Sequence, residues 1–229
     1  NKSMRWNSSG KAFSRPVRWL LCLHGEVIIP CELAEVTANN ITRGLRFSDH
    51  EEFTVTDPAA YNAFLTSQGI ILDPQERKAV IRSQVEYILE NLNADKALDE
   101  NLLDEVNNLV EIPTAMLGTF DKDSLELPPE VLISVMKKHQ RYFAAKDSDG
   151  NLMNHFIAVR NGTTEHLETV IDGNEQVVRA RFADADFFIN EDQKQTLEDF
   201  LPELDKLTFQ VKLGSMLDKG KRVEETVKD

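Results

Sequence analysis

The chain of 229 residues is 41% hydrophobic and 28% charged, with a formal net charge of −13 at pH 7. It is long enough to bury a full core, has the ordinary composition of a soluble globular protein, and its net acidity argues against a general nucleic-acid binder. No apolar run approaches the roughly 20 residues that span a bilayer, and the polar, basic start lacks the apolar stretch of a secretory leader. The charge is unevenly spread. Residues 1–25 hold Lys2, Arg5, Lys11, Arg15 and Arg18 and no acid, while acids crowd into 95–126 and 191–205. A local basic face on an acidic body is open, and so is a plain solvated surface.

In chain order, residues 17–23 and 27–33 predict a hairpin across His24-Gly25-Glu26. That turn sets Cys22 against Ile28 rather than Cys31, so no disulfide is expected. Two cysteines without a secretory leader suit a reduced, cytoplasmic setting. Cys22, His24 and Cys31 lack the fourth ligand or second cluster of a zinc site, and no metal is expected. Trp6 and Trp19 read as core anchors of this first sheet. A strand over 41–47 follows, with Gly44 in its middle, which predicts a bulge or a close approach. Arg43 and Arg46 flank that glycine. Guanidinium groups grip phosphate bidentately, and charged residues also guard edge strands.

Asp57-Pro58 predicts a helix to about Ser67, and Asp73-Pro74 a stronger one with Val80, Ile81, Gln84, Val85, Ile88 and Leu89 as its stripe. A third helix covers 99–109, with Leu102, Leu103, Val106 and Leu109 inward. Pro113 interrupts a strand over 110–120, which predicts an edge position or a bulge. Pro128-Pro129 opens a helix drawn to Phe143. At about 100° per residue, Lys137, Lys138 and Arg141 share one narrow arc, and Leu132, Val135, Met136, His139 and Phe143 the opposite side. The arc suits phosphate contact or a solvated face. His139 reads as a buried structural histidine, since a catalytic base needs an acid partner and an open cleft.

Asp147 to Gly150 signals a turn before a strand over 156–160. The last long helix is drawn over 174–190, capped by Asn174, with Val178, Phe182, Ala185 and Ile189 on one face. Arg179, Arg181, Asp184 and Asp186 read as an ordered, structural ion-pair network. After Pro202 only helix is expected, with a domain boundary near Phe200. The class is α+β, a mixed sheet with packed helices. Nucleotide-binding, nucleophile-elbow and zinc-protease signatures are absent, and no catalytic residue is assigned. The chain does not start with Met and ends in a charged, helix-like run, so it reads as a piece of a longer protein.

Five stretches, taken in order, resemble the beta subunit of the bacterial tetrameric glycyl-tRNA synthetase. They are Met4-Arg5-Trp6 with Phe13 to Trp19, Thr42 to Phe47, Leu127 to Ser134 running into Met136 to Phe143, Gly173 to Phe188, and Phe209 to Ser215. The family usually has His where Leu45 stands, so no imidazole role carries over there. The resemblance implies a domain over 1–200 similar to the B3/B4 domain of the phenylalanyl-tRNA synthetase beta chain, then the start of a helical, HD-like domain over 201–229. It implies that ATP is used by an alpha subunit, that the partners are tRNA(Gly) and that alpha subunit in an α2β2 assembly, and that this segment needs no cofactor. Its expected part is tRNA binding and subunit architecture, with Arg43, Arg46, Lys137, Lys138 and Arg141 as candidate tRNA contacts and no activity alone. The alternatives are an editing-type hydrolase for mischarged tRNA and a purely structural spacer.

Overall fold

In the computed structural model, which describes residues 3–45 and 52–228, seven short strands come first. They are β1 (Leu20–Leu21), β2 (Leu23–His24), β3 (Val27–Ile28), β4 (Glu32–Leu33), β5 (Val36–Asn39), β6 (Ile41–Arg43) and β7 (Glu52–Thr54). β2 and β3 form the expected hairpin, with Gly25 at φ +60° in its turn. Its register is one residue from the expected one: Leu23, not Cys22, pairs with Ile28, and the Ile29 N–H donates to the Cys22 carbonyl at 3.0 Å. A second hairpin joins β4 to β5 through Ala34 and Glu35, at φ 54° and 65°. Two successive left-handed residues make a type I′ turn. Asn-Gly would announce such a turn; Ala-Glu conceals it. β1 lies parallel to β5, so the first sheet is mixed, in the order β1-β5-β4. β5 accepts the Cys22 N–H at Asn39 and donates from Ala38 to Cys31. Both cysteines thus flank one strand as free thiols. Desolvation, and then Cys22 as a side-chain hydrogen-bond partner, raise the Cys31 thiol above its ordinary pKa.

The helices begin where short acids precede them. Asp57 caps α1 (Pro58–Ser67), Asp73 caps α2 (Pro74–Asn91) and Asp99 caps α3 (Glu100–Asn107), each carboxylate accepting a first-turn N–H from extended backbone. Proline at the first helical position of α1 and α2 loses no intrahelical bond. α3 is shorter than its drawn span, and Leu109, expected inward, lies beyond its end and is 58% exposed.

The central sheet is antiparallel, in the order β8 (Pro113–Thr119), β10 (Leu152–Asn161), β9 (Phe143–Lys146). Alternation splits its side chains between two cores. Ile157 faces one with Ile81, Val85 and Leu89 of α2 and Leu102, Leu103 and Val106 of α3. Phe156 and Ala158 face the other, with Leu132 of α4 (Pro129–Val135) and Val178 and Phe182 of α5 (Leu167–Asp192). The sheet is therefore a middle layer between two helical ones. β8 is its edge, as Pro113 predicts, and Pro113 is its first residue. The edge is covered. Gln84 of α2 donates to the Pro113 carbonyl and accepts from the Ala115 N–H, and Glu175 of α5 accepts from the Thr119 N–H.

Three expectations fail here for identifiable reasons. The helix drawn to Phe143 stops at Val135 and closes in a π-helical turn, Met136–Gln140, with Arg141 left-handed at φ 59°. An i→i+5 ring holds one more residue than an α-helical one, so the 3.6-residue phase slips. Met136 stays buried while His139 turns to solvent, and His139 is not a core residue. The helix drawn from Asn174 begins at Leu167, after left-handed His166. Asn174 is internal, donating to the Val170 carbonyl and accepting from the Tyr142 hydroxyl. After α6 (Leu197–Phe200) and a 3-10 turn, Leu201–Lys206, the chain is not helix only: β11 (Thr208–Gln210) pairs with β12 (Gly214–Ser215) before α7 (Met216–Lys228). Among the described residues no helix is long and apolar enough to cross a membrane.

Candidate nucleic-acid interface

The ridge read from the sequence is largely spent on the protein itself. Lys137 pairs with Asp99 at the head of α3. Arg141, placed by its left-handed backbone, pairs with Glu105 one helix face further on, at 2.8 Å. Lys138 is exposed and has no ion pair among the described residues. Two of three cations are thus neutralised by α3, and the arc is a helix-to-helix clamp with one amine left over.

Asp99 shows how the clamp is tuned. The Lys137 ammonium, followed by the Leu102 N–H, holds its carboxyl below the ordinary value. A depressed carboxylate gives stability that is complete above its unfolded pKa, about 3.9, and that fades as pH falls through the lower folded value. Both side chains are more than a third exposed, so solvent weakens the pair. Asp99→Asn keeps a good cap and removes only the charge. Its denaturation midpoint should lie slightly below that of the parent at neutral pH, with the gap starting to close below about pH 4 and vanishing once the pH is below the lowered folded value. A gap that persists unchanged into acid would show that the charge pair contributes nothing.

The four charges on α5 do not form one network. Arg181 reaches Asp184 at 3.7 Å, Arg179 turns to Asp121 at 3.7 Å, and Asp186 accepts from Asn190 at 2.9 Å. These are separate surface contacts, because helical geometry sends side chains two apart to different faces. His155 on β10, which periodicity did not single out, has a buried Nδ1 without a hydrogen-bond partner among the described residues, and desolvation followed by Lys122 lowers its pKa. Among those residues it lacks the acid partner of a catalytic base.

A different basic surface emerges where the first sheet meets α1. A cleft of about 960 Å³ opens between Arg15 to Trp19, the end of β6, α1, and the connection into α2. Arg15, Arg18 and Arg43 line it, with Trp19 and Tyr61 as aromatic wall and Glu111 as an acid. Arg15 and Arg18 are exposed and take no ion pair among the described residues. Arg43 pairs with Glu52 across β6 and β7, and its guanidinium carbon sits over the Trp19 ring, 6.0 Å from the centroid. Trp19 is 41% exposed, so it is not the core anchor drawn from the sequence. Its indole also borders a smaller hollow of about 170 Å³ with Arg18 and Asn39. Gly44, the suspected close approach, is one: a Cβ there would run into the Gln68 carboxamide. Arg46 lies outside the described residues. Of the candidate contacts, then, the cleft holds Arg43; Lys137, Lys138 and Arg141 lie elsewhere, on α3's neighbour. Arg15 and Arg18 could have been found from the acid-free first 25 residues.

The family model described as glycyl-tRNA synthetase beta subunit matches residues 1–229. The chain is 44% identical over 222 residues to the glycine–tRNA ligase beta subunit of Bacillus subtilis, covering 97% of this chain and 32% of that one. The proteins of the same name from Oceanobacillus iheyensis and Desulforamulus reducens are each 45% identical, over 224 and 222 residues. The chain spans 32% of the length of these relatives.

Proposed function

We propose, from the premise that this chain belongs to the family of glycyl-tRNA synthetase beta subunits, that it is a tRNA-handling, non-catalytic part of a glycine–tRNA ligase. In that reading the whole enzyme attaches glycine to tRNA(Gly) in the cytoplasm, an alpha subunit uses the ATP, and the two subunits assemble as α2β2. This segment contributes RNA contact and architecture and needs no cofactor of its own. The sheet between two helical layers suits a B3/B4-like domain over 1–200, with 201–229 opening a helical, HD-like one. The observation that carries the tRNA role is a pair of guanidiniums, Arg15 and Arg18, without ion pairs among the described residues, beside half-exposed Trp19 in one cleft. Cations free of protein partners are the ones that can displace counterions from phosphates.

The test uses the assembled enzyme and tRNA(Gly) across a salt series. Arg15→Glu/Arg18→Glu should weaken tRNA binding by roughly tenfold or more and flatten the log–log salt slope by about 0.7–0.9 for each phosphate no longer engaged. Lys137→Glu/Arg141→Glu should leave the slope unchanged, since those cations already face Asp99 and Glu105. An unchanged slope in the cleft variant would remove the cleft from the RNA path.

A further inference from the structure

We infer, resting on that reading, that the cleft receives an unpaired nucleotide of the RNA, with its base stacked on Trp19. Phosphate capture alone would need only cations, and it would be weakened by an acid on the wall. The cleft has two features that phosphate capture leaves unexplained. One is Trp19, held 41% exposed at the junction of two hollows, where a residue of this size is normally well covered. The other is Glu111, whose carboxylate can accept from the amino group of a base edge.

Arg43 supports the assignment. It sits over the indole and is tied down by Glu52. A cation over one face leaves the other face of a flat ring for a partner. An indole presents a π surface to any base, and guanidinium planes stack as well. Arg15 and Arg18 then stand where the flanking phosphates of a strand would pass, and Tyr61 offers a second aromatic wall. About 960 Å³ is within the range that takes a nucleotide-sized ligand. A duplex fits none of this, because its base faces are hidden in the stack.

The full-length subunit carrying this segment is the object to test. A short single-stranded RNA with 5-iodouridine, irradiated on the protein, should cross-link to the peptide that contains Trp19. Trp19→Ala should weaken binding of that strand by roughly 5-fold to 150-fold, the usual effect of removing one stacking platform. Trp19→Phe should recover most of the affinity, and a duplex of equal length should respond to neither change. Cross-links that map elsewhere, or equal weakening for duplex and single strand, overturn the inference. So does a free mononucleotide that competes as tightly as the strand, which would make the ligand a free nucleotide. If the arginine reversals weaken tRNA(Gly) while Trp19→Ala does not, stacking fails and the tRNA surface stands. If neither does, both readings fall.

Discussion

Phe156→Ala is expected to destabilise the protein by about 3–5 kcal/mol, the range for truncating a buried aromatic ring. Phe156 is 1% exposed on the middle strand of the central sheet. Its ring stacks on Tyr142 with centroids 4.8 Å apart and planes 17° from parallel. Across the ladder its partner is Gly118. A Cβ at Gly118 would meet the ring itself, so the glycine makes room for the aromatic. Deletion of the ring leaves a void that neither Gly118 nor the backbone can fill. The converse change, Gly118→Ala, should cost about 1–3 kcal/mol through overpacking, and it should be much better tolerated when Phe156 is already Leu. Urea denaturation of the two singles and the double measures this. Additive effects would mean that glycine and ring do not share the space.

Arg77→Ala is expected to cost about 2–3 kcal/mol, the scale on which a hydrogen bond from a charged donor contributes. Its Nε donates to the carbonyl and the Oδ1 of Asn107, at 3.1 and 3.2 Å, and its Nη1 donates to the Ile71 carbonyl at 2.7 Å. Asn107 is 5% exposed and donates in turn to the Pro74 carbonyl at 3.0 Å. One side chain thus joins the end of α3, the start of α2 and the loop behind the cleft. Arg77→Lys keeps the charge but not the planar fork, and it should recover less than half of the stability. The surface pairs of Arg82 and Lys78 with Glu100 should contribute far less and fade with salt. If chemical denaturation finds Arg77→Ala no worse than breaking those surface pairs, the joint is not structural.

The parts of the fold that are legible in the sequence are those with local causes. Asp-Pro caps start α1 and α2 where the sequence predicts them, and Pro113 marks the sheet edge. The stripe of α2 and the pair Val178 and Phe182 pack as their spacing requires. What is illegible depends on backbone or distance. Ala34-Glu35 gives no chemical sign of its left-handed turn, and the extra residue in the turn at Met136–Gln140 leaves no composition mark. α5 starts seven residues before its drawn start because Asn174 looks like a cap yet lies inside the helix. The cleft joins residues 15–19, 42–44, 61–72 and 111, and no window of the sequence contains them together. The ridge fails for the same reason: its wheel is sound locally, but its counter-charges lie at and beyond the head of α3.

The turn at Met136–Gln140 also bears on how chain length can vary here. Most one-residue deletions in a helix rotate everything beyond them by a little over a quarter of a turn and bring the wrong side chains to the core. This turn already holds one residue beyond the α-helical count. Removal of a single residue between Lys137 and Gln140 would return it to regular helix, with Met136 still inward and Phe143 still able to open β9. Gaps of one position among related sequences should therefore gather at this turn and avoid the straight body of α2.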